Sequence, residues 1–421
     1  MREGVRVAII GGGASGVTLA GLLAEKGDPF QIEIFEQGEA ILRKLLATGN
    51  GRCNFTNRDI SLGHYTGEEV PALEPGLKTF GFEEARAFFR RLGLPSLVLD
   101  SGMTYPATMK ADSVVRTLQA WIDHGGVRVH LKKEVVAIRK EGGTYRLSDS
   151  EGGEWTPYDV VVLASGGAYG IGKKEWSCGY SLVKDLGHEL SAIHPGICGL
   201  VVSEKDFCRK ASGDKLEAEL YLEGEPSKKR SGDLLFTDYG ISGMGVFRLS
   251  NDLLDRIRSG EEARLYCDLL PHISREEGES DLARLYDRRK DWAASDALAG
   301  YLPRRLLEAS LEEAGIRPSA ELSTIPLAQV LGWFRLLKKL SFHVLGARKK
   351  DHGQITCGGI SMDEVNPETL ESRLSPGLYF LGEVLNAQGE CGGYNLHWAW
   401  ASAHAAFRAM KKADEKATSD D

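Results

Sequence analysis

At 421 residues the chain is too long for one small core, and its length fits two or three domains. Hydrophobic residues make up 42% and charged residues 27%, an ordinary globular balance, and no apolar run reaches the roughly 18 residues that span a bilayer. The formal net charge of −8 argues against a nucleic-acid-binding surface, so neither nucleic acid nor membrane is an expected partner.

Met1-Arg2-Glu3-Gly4 runs straight into a strand-like segment. It lacks the basic, apolar and small-residue zones of a signal peptide, so a cytoplasmic location is expected. Seven cysteines stand at 53, 178, 198, 208, 267, 357 and 391. No two have CxxC spacing, which predicts reduced, mostly structural thiols and no metal site.

Residues 5–10 (Val-Arg-Val-Ala-Ile-Ile) read as a buried parallel strand. A glycine-rich turn from Gly11 to Gly16 leads into a helix, Val17 to Lys26, with Gly27 as its stop. Gln31–Glu36 alternates as a second strand. In Gly11-x-Gly13-x-x-Gly16 the first glycine permits a tight turn, the second a close approach of backbone to a pyrophosphate, and the third close helix–strand packing. The amides at the helix start, including those of Ala14 and Ser15, would meet the phosphates. Glu36 ends the second strand, where an acidic side chain accepts hydrogen bonds from a ribose.

A second glycine loop covers Gly49 to Asn57. A helix is predicted near Glu83–Leu92, then a turn at Tyr105-Pro106 and an amphipathic helix over Asp112–His124. Val127–Ile138 and Tyr145–Ser148 read as strands joined by Glu141-Gly142-Gly143. Asp159–Ala164 is another buried strand, running into Ser165-Gly166-Gly167. Between about 190 and 345 the character changes to short strand-like pieces and a charged helical stretch, 275–316. Apolar, glycine-rich sequence returns at Ile355–Ile360 and Leu378–Leu381, followed by a helix over Trp398–Lys411; the tail Asp414–Asp421 is expected to be disordered.

The βαβ unit serves nicotinamide and flavin dinucleotides alike. In the loop Lys44–Asn57 glycines would let backbone pass against a flat cofactor, and Arg52 could offset phosphate or reduced-flavin charge. Taken alone, the same loop reads equally as a surface turn.

Further motifs carry a resemblance. Leu42-Arg43-Lys44-Leu45-Leu46-Ala47-Thr48-Gly49-Asn50-Gly51-Arg52-Cys53-Asn54 resembles the GRKLL-(I/A)SG-GGRCN loop of bacterial FAD-binding flavoproteins of the aminoacetone-oxidase-like and bile-acid-reductase-like kind. Gly232–Gly243 is similar to their GDLLFT-x-x-GxSG segment, and Thr356–Ile360 to TAGGV. Gly377–Leu385 and Cys391–Leu396 resemble GLYFxGEVLD and CGGYNLQ. The resemblance spans nearly the whole chain.

It implies an α/β protein with a doubly wound, Rossmann-like FAD domain, an inserted β-rich domain and a small helical segment. The implied boundaries are 1–190 with 346–421 for the FAD domain, 191–274 with 326–345 for the β-rich domain, and 275–325 for the helical insert. It also implies roles for individual residues. Gly11, Gly13, Ala14, Ser15 and Gly16 face the pyrophosphate, and Glu36 the adenosine ribose. Lys44, Thr48, Gly49, Gly51, Arg52, Cys53 and Asn54 line the flavin. Val135 meets the adenine through its backbone. Gly382-Glu383 approach the pyrophosphate–ribityl region; Ala164, Ser165 and Gly166, read from the residues alone, end a strand in small residues suited to packing on the cofactor, though a strand ending in glycine is common. Gly392, Gly393, Tyr394, Asn395 and Leu396 bring a helix N-terminus to the isoalloxazine ring, where its amides favour the negative charge of reduced flavin.

The chain departs from the pattern at Leu42, Thr48, Asn50, Cys357, Asn386 and His397. Some of these residues are expected near the ring, which leaves the substrate open. His397 and Tyr239 are the candidates for proton chemistry, His397 with the alternative of a satisfied helix histidine. The expected function is an FAD-dependent oxidoreductase passing a hydride between flavin and a small molecule. Electrons enter from the substrate or from transiently docking NAD(P)H, because no second Gly-x-Gly-x-x-Gly follows a strand. An amine oxidase using oxygen, and an RNA-modifying flavoprotein, are the alternatives. The sequence fixes no oligomeric state.

Overall fold

The computed structural model describes residues 4–25, 30–67, 69–170, 179–348 and 353–419; the predicted helix stop Gly27 and Cys178 lie outside them. The chain forms two compact units, Met1–Pro195 with Gln354–Asp421, and Gly196–Gly353.

The first unit is built on a five-stranded sheet. Its strands are β1 (Val5–Ile10), β2 (Phe30–Glu36), β3 (Arg128–Leu131), β4 (Val160–Leu163) and β5 (Leu378–Phe380), in the order β5-β4-β1-β2-β3. All pairings are parallel, with Val7 opposite Val160, Val5 opposite Phe30, Glu33 opposite Arg128 and Val161 opposite Leu378. A parallel sheet is covered on both faces, which is why Val7, Ala8, Ile9, Val161 and Val162 are all fully buried. Helix α1 (Ala14–Leu23) connects β1 to β2, and α2 (Arg43–Ala47) follows β2. Helix α3 (Ala111–His124) packs its Trp121 on α1 at Gly21, where a Cβ would stand 2.3 Å from the indole ring. The C-terminal helix α4 (Tyr394–Ser419) also lies on α1.

Two expectations change here. The stretch Val127–Ile138 is not one strand but two, Arg128–Leu131 in the parallel sheet and Val135–Glu141 in a separate antiparallel meander with Thr144–Asp149 and Glu154–Tyr158. Lys132 takes a left-handed φ of 57° and turns the chain between them. Helix α4 starts before Trp398 and continues through the tail to Ser419. The tail's Ala, Glu and Lys residues are strong helix formers, so they extend a helix already nucleated on the core.

The second unit contains a closed antiparallel barrel of Leu200–Val202, Gly240–Ser242, Arg230–Thr237, Lys215–Leu222, Arg264–Asp268 and Leu340–Ala347, in that order around it. Alternation along Lys215–Leu222 buries Ala218, Leu220 and Leu222 and leaves the intervening residues outside that core. The helices expected at 275–325 belong to the same unit, with Arg275–Arg288 and Arg304–Glu313 packing beside Leu327–Lys338. Trp333 ties them by donating its indole N–H to Ser310 Oγ at 2.8 Å.

Candidate functional site

The site residues named from the sequence lie in the first unit, Tyr239 excepted. The three glycines of the β1–α1 turn differ in what requires them. A Cβ on Gly11, whose φ is +110°, would stand 2.4 Å from Ala164 O, and one on Gly16 would stand 2.2 Å from Gly11 O. Those two positions are closed by the protein itself. Gly13 is different: its nearest protein neighbour to a Cβ is Ala164 O at 3.9 Å, so the fold leaves space over that residue. Gly13 is the N-cap of α1, and the first helical bond runs from Val17 N–H to Gly13 O at 3.0 Å. The amides of Ala14 and Ser15 stand ahead of that bond, at the positive end of the helix dipole. An open glycine at such an end is a cradle for an anionic group.

Glu36 closes the adjacent edge. Its Oε2 accepts from Gly12 N–H at 2.9 Å and its Oε1 from Gly38 N–H at 2.7 Å, which fixes the carboxylate at the end of β2. The N–H groups of Lys132 and Lys133 donate to Gly38 O and Glu36 O, and the chain then runs into the buried Val135. On the other side, Ala164 donates its N–H to Ile10 O, and Ser165 and Gly166 follow.

Residues far apart in sequence converge around Glu383. Lys44 Nζ donates to Glu383 Oε2 at 2.6 Å, and Thr356 N–H donates to Glu383 Oε1 at 2.7 Å. Thr356 Oγ1 in turn accepts from Tyr169 N–H at 2.8 Å. A Cβ on Gly166 would be 3.8 Å from Glu383 Oε2, so the β4 loop passes beside this pair. Gly382 runs close to Ser15, its Cβ position 2.9 Å from Ser15 Oγ. The turn at the start of α1, the Lys44 loop and the Gly382-Glu383 segment therefore share one place.

The loop 48–54 is wound by left-handed residues, Gly49, Asn50, Gly51 and Cys53. Cys53 is fully buried and donates its backbone N–H to Thr48 O at 3.0 Å; burial pushes its thiol up to about 12, with a smaller opposing effect from Thr48. Asn54 spends its side chain on Thr104 N–H, while Arg52 lies over the Tyr105 ring, 5.1 Å from its centroid. The six described cysteines form no disulfide with one another.

Loop 48–54 reaches the start of α4. A Cβ on Gly393 would stand 2.7 Å from Thr56 O and 3.0 Å from Asn54 Oδ1, and Asn57 Nδ2 donates to Gly392 O at 2.9 Å. The first bond of α4 runs from His397 N–H to Gly393 O, so the amides of Asn395 and Leu396 stand ahead of it. The Asn395 side chain clasps Gly389 in both directions, accepting from its N–H at 2.9 Å and donating to its O at 2.7 Å.

The two candidates for proton chemistry differ in placement. His397 is wholly buried, with Nδ1 2.8 Å from Thr56 Oγ1 and Nε2 2.8 Å from Phe80 O. A carbonyl only accepts, so Nε2 carries the proton and Nδ1 accepts from the threonine hydroxyl. Burial pushes the imidazole down to about 4, leaving it neutral with both nitrogens used inside the protein. Tyr239 belongs to the second unit, where Arg348 lies 4.3 Å over its ring. Sequence reasoning missed His64, Thr356 and Tyr169. Glu390 lies 326 positions from His64 and Thr356 lies 187 from Tyr169, and no local pattern marks such pairs.

The donor set fits a dinucleotide: an open glycine at a helix start, a carboxylate at the end of β2, a lysine beside the cradle, and a second helix start at α4. The model of the HI0933-like protein Rossmann domain matches residues 5–409. The chain belongs to the HI0933-like family. It is an FAD-dependent oxidoreductase. This HI0933-like chain is 34% identical to the 3-dehydro-bile acid delta(4,6)-reductase of Clostridium scindens, over 96% of its own length and 98% of the relative's. It is 28% identical to the ribosomal RNA dihydrouridine synthase of Haemophilus influenzae, over 94% of its length and 96% of the relative's. The Escherichia coli protein of the same name is 26% identical, again over 94% and 96%. Among the described residues, no helix is long and apolar enough to cross a membrane, and no cluster of His, Cys, Asp and Glu is arranged to hold a metal ion.

Proposed function

We propose that this protein is a reductase of a carbon–carbon double bond conjugated to a carbonyl, acting on a small molecule, with NAD(P)H docking transiently as the electron source. What carries the reading is a transformation common to the relatives' names. A 3-dehydro bile acid delta(4,6)-reductase and a dihydrouridine synthase each saturate a C=C bond conjugated to a carbonyl. When bound, FAD supplies the hydride through its reactive ring nitrogen.

The chain's own residues do the rest. The amides of Ala14 and Ser15 bind the pyrophosphate, with Gly13 leaving the room it needs. Glu36 orients the adenosine ribose from a carboxylate already held by two backbone amides. Lys44, fixed by Glu383, places a cation beside the cofactor's path. The start of α4, presented by Gly392 and Gly393, turns amides toward the charge that reduction develops. His397 holds Thr56 and Phe80 together and takes no part in proton delivery.

The test is an anaerobic one. Flavin-loaded protein is photoreduced and mixed with a 3-oxo-4,6-diene steroid, and reoxidation of the flavin is followed with loss of the dienone absorbance. Rapid coupled change supports the reading. Fast reoxidation by oxygen with peroxide release, and none by the enone, would replace it with an oxidase such as an amine oxidase. The same mixture with ribosomal RNA tests a second reading, which the two dihydrouridine synthases favour and the net charge of −8 opposes.

A further inference from the structure

The loop that brings Gly392 and Gly393 to the start of α4 is held from one side by His64. Nε2 of His64 lies 2.9 Å from Asp59 Oδ2, and Nδ1 lies 3.3 Å from Glu390 Oε2. A carboxylate only accepts, so both contacts are hydrogen bonds when both ring nitrogens carry protons, and a neutral imidazole has only one. The ring also lies flat on Tyr394, with centroids 4.4 Å apart and planes 14° apart, the geometry in which a cation gains from an aromatic face.

Backbone bonds join the same pieces. Tyr65 pairs with Gly389 and Thr66 with Gln388, and Glu390 N–H donates to His64 O at 2.8 Å. Asp59 N–H donates to Asn57 Oδ1, and Asn57 Nδ2 donates to Gly392 O. Tyr65 OH donates to Tyr394 O at 3.0 Å. Among the described residues, the charged groups facing His64 are Asp59 and Glu390. Tyr65 also packs around it, its hydroxyl pushed up by burial and so held protonated, and the Tyr394 ring stacks on it.

We propose that His64 is a positioning residue: its imidazolium ties the 389–394 loop, and with it the start of α4, in the arrangement that faces the flavin. The proposal rests on the placement of that helix start beside the flavin ring. The tie has a pH sense. The Glu390 hydrogen bond, and after it the Asp59 one, holds His64 above the ordinary histidine value, against an opposing effect of partial burial. A raised value in the folded state means that the tie is complete below the unfolded value of 6.5 and lost as pH rises through the raised one.

The experiment uses the full-length protein as purified, taken from about pH 6 to about pH 9. Two quantities are read, the rate of FAD release on dilution and the thermal midpoint. In the wild type, release should accelerate roughly two- to fivefold at the alkaline end, the size fitting a partly exposed charged contact, while the midpoint advantage over His64→Gln disappears. His64→Gln should show flat release near the wild type's alkaline value, and a midpoint below the wild type's at about pH 6 by a margin that vanishes at the alkaline end. Asp59→Asn, at a largely exposed side chain (69%), should keep the transition and move it to lower pH. A flat wild-type release rate, or a His64→Gln release profile that copies the wild type's, overturns the proposal. A thermal midpoint that follows His64 while flavin release does not overturns it through its premise, the placement of α4 beside the flavin.

Discussion

Lys44 and Glu383 lie 339 positions apart in the chain and meet at 2.6 Å, joining α2 to the segment after β5. Glu383 also accepts from Thr356 N–H, so one carboxylate fixes a lysine and a loop backbone together. The pair is a joint between the two ends of a unit that the inserted residues separate in sequence. Its lysine side chain is 36% exposed, which keeps its stabilisation small.

Glu383→Gln keeps an acceptor for Thr356 N–H and removes the charge. The expected loss of thermal stability is about 1 kcal/mol or less, with a larger, severalfold loss of FAD affinity because Lys44 is no longer held. A flavin-binding titration beside a thermal melt separates the two. Equal losses in both would mean that the pair is only structural.

The glycines of the first turn should divide by what surrounds them. Gly16→Ala forces a Cβ against Gly11 O and should cost about 1–3 kcal/mol in the folded protein, with or without flavin. Gly13→Val sets its Cβ 3.9 Å from the nearest protein atom, Ala164 O, so the chain should still fold while losing retained FAD. Absorbance at the flavin bands and circular dichroism of the same sample check both. A yellow Gly13→Val protein would remove the cradle from this turn.

His397 predicts an acid-side loss of stability. Its folded-state value, about 4, lies below the unfolded 6.5, so within that window the unfolded chain binds the extra proton and stability falls as pH falls. The size is roughly 3 kcal/mol at most. His404, also pushed down by burial, to about 3, works in the same direction. Glutamine offers one donor and one acceptor, as this neutral histidine does, so His397→Gln should keep the Thr56 and Phe80 contacts. Urea melts at several pH values should show a shallower acid slope for the variant, and turnover close to wild type. A variant that folds but has lost turnover would return His397 to the chemistry.

Burial pushes the thiols of Cys53, Cys198 and Cys208 up to about 12, and raises that of Cys267 as well. None should react with iodoacetamide in the native protein under mildly alkaline conditions, whereas Cys391, partly exposed, should react first among the described cysteines. Peptide mapping by mass spectrometry decides it. Rapid modification of Cys53 would show that the loop 48–54 opens in solution.

Much of the first unit was legible because its signals are local. The run Val5–Ile10, the glycine spacing and Glu36 lie within one stretch, and each follows from backbone sterics or parallel-sheet burial. Helix boundaries were less legible. Charge was read as disorder in the tail, although its residues favour the helix once α4 is anchored. The break at Lys132 was missed because a left-handed lysine leaves no compositional mark. His397 was visible as a histidine, but its neutrality depends on Phe80 and Thr56, which only folding brings to it.

By itself the sequence determined the βαβ unit and its glycine turn, since turn sterics and the alternation of small and apolar residues act over a few positions. Tertiary structure alone decided which of those glycines is open and which is packed, because that depends on Ala164 and on Gly11's own carbonyl in the folded turn. It alone joined Lys44 to Glu383 and His64 to Glu390. Such contacts are set by chain crossings hundreds of residues long, and a hydrogen bond acts over about 3 Å whatever the distance in sequence.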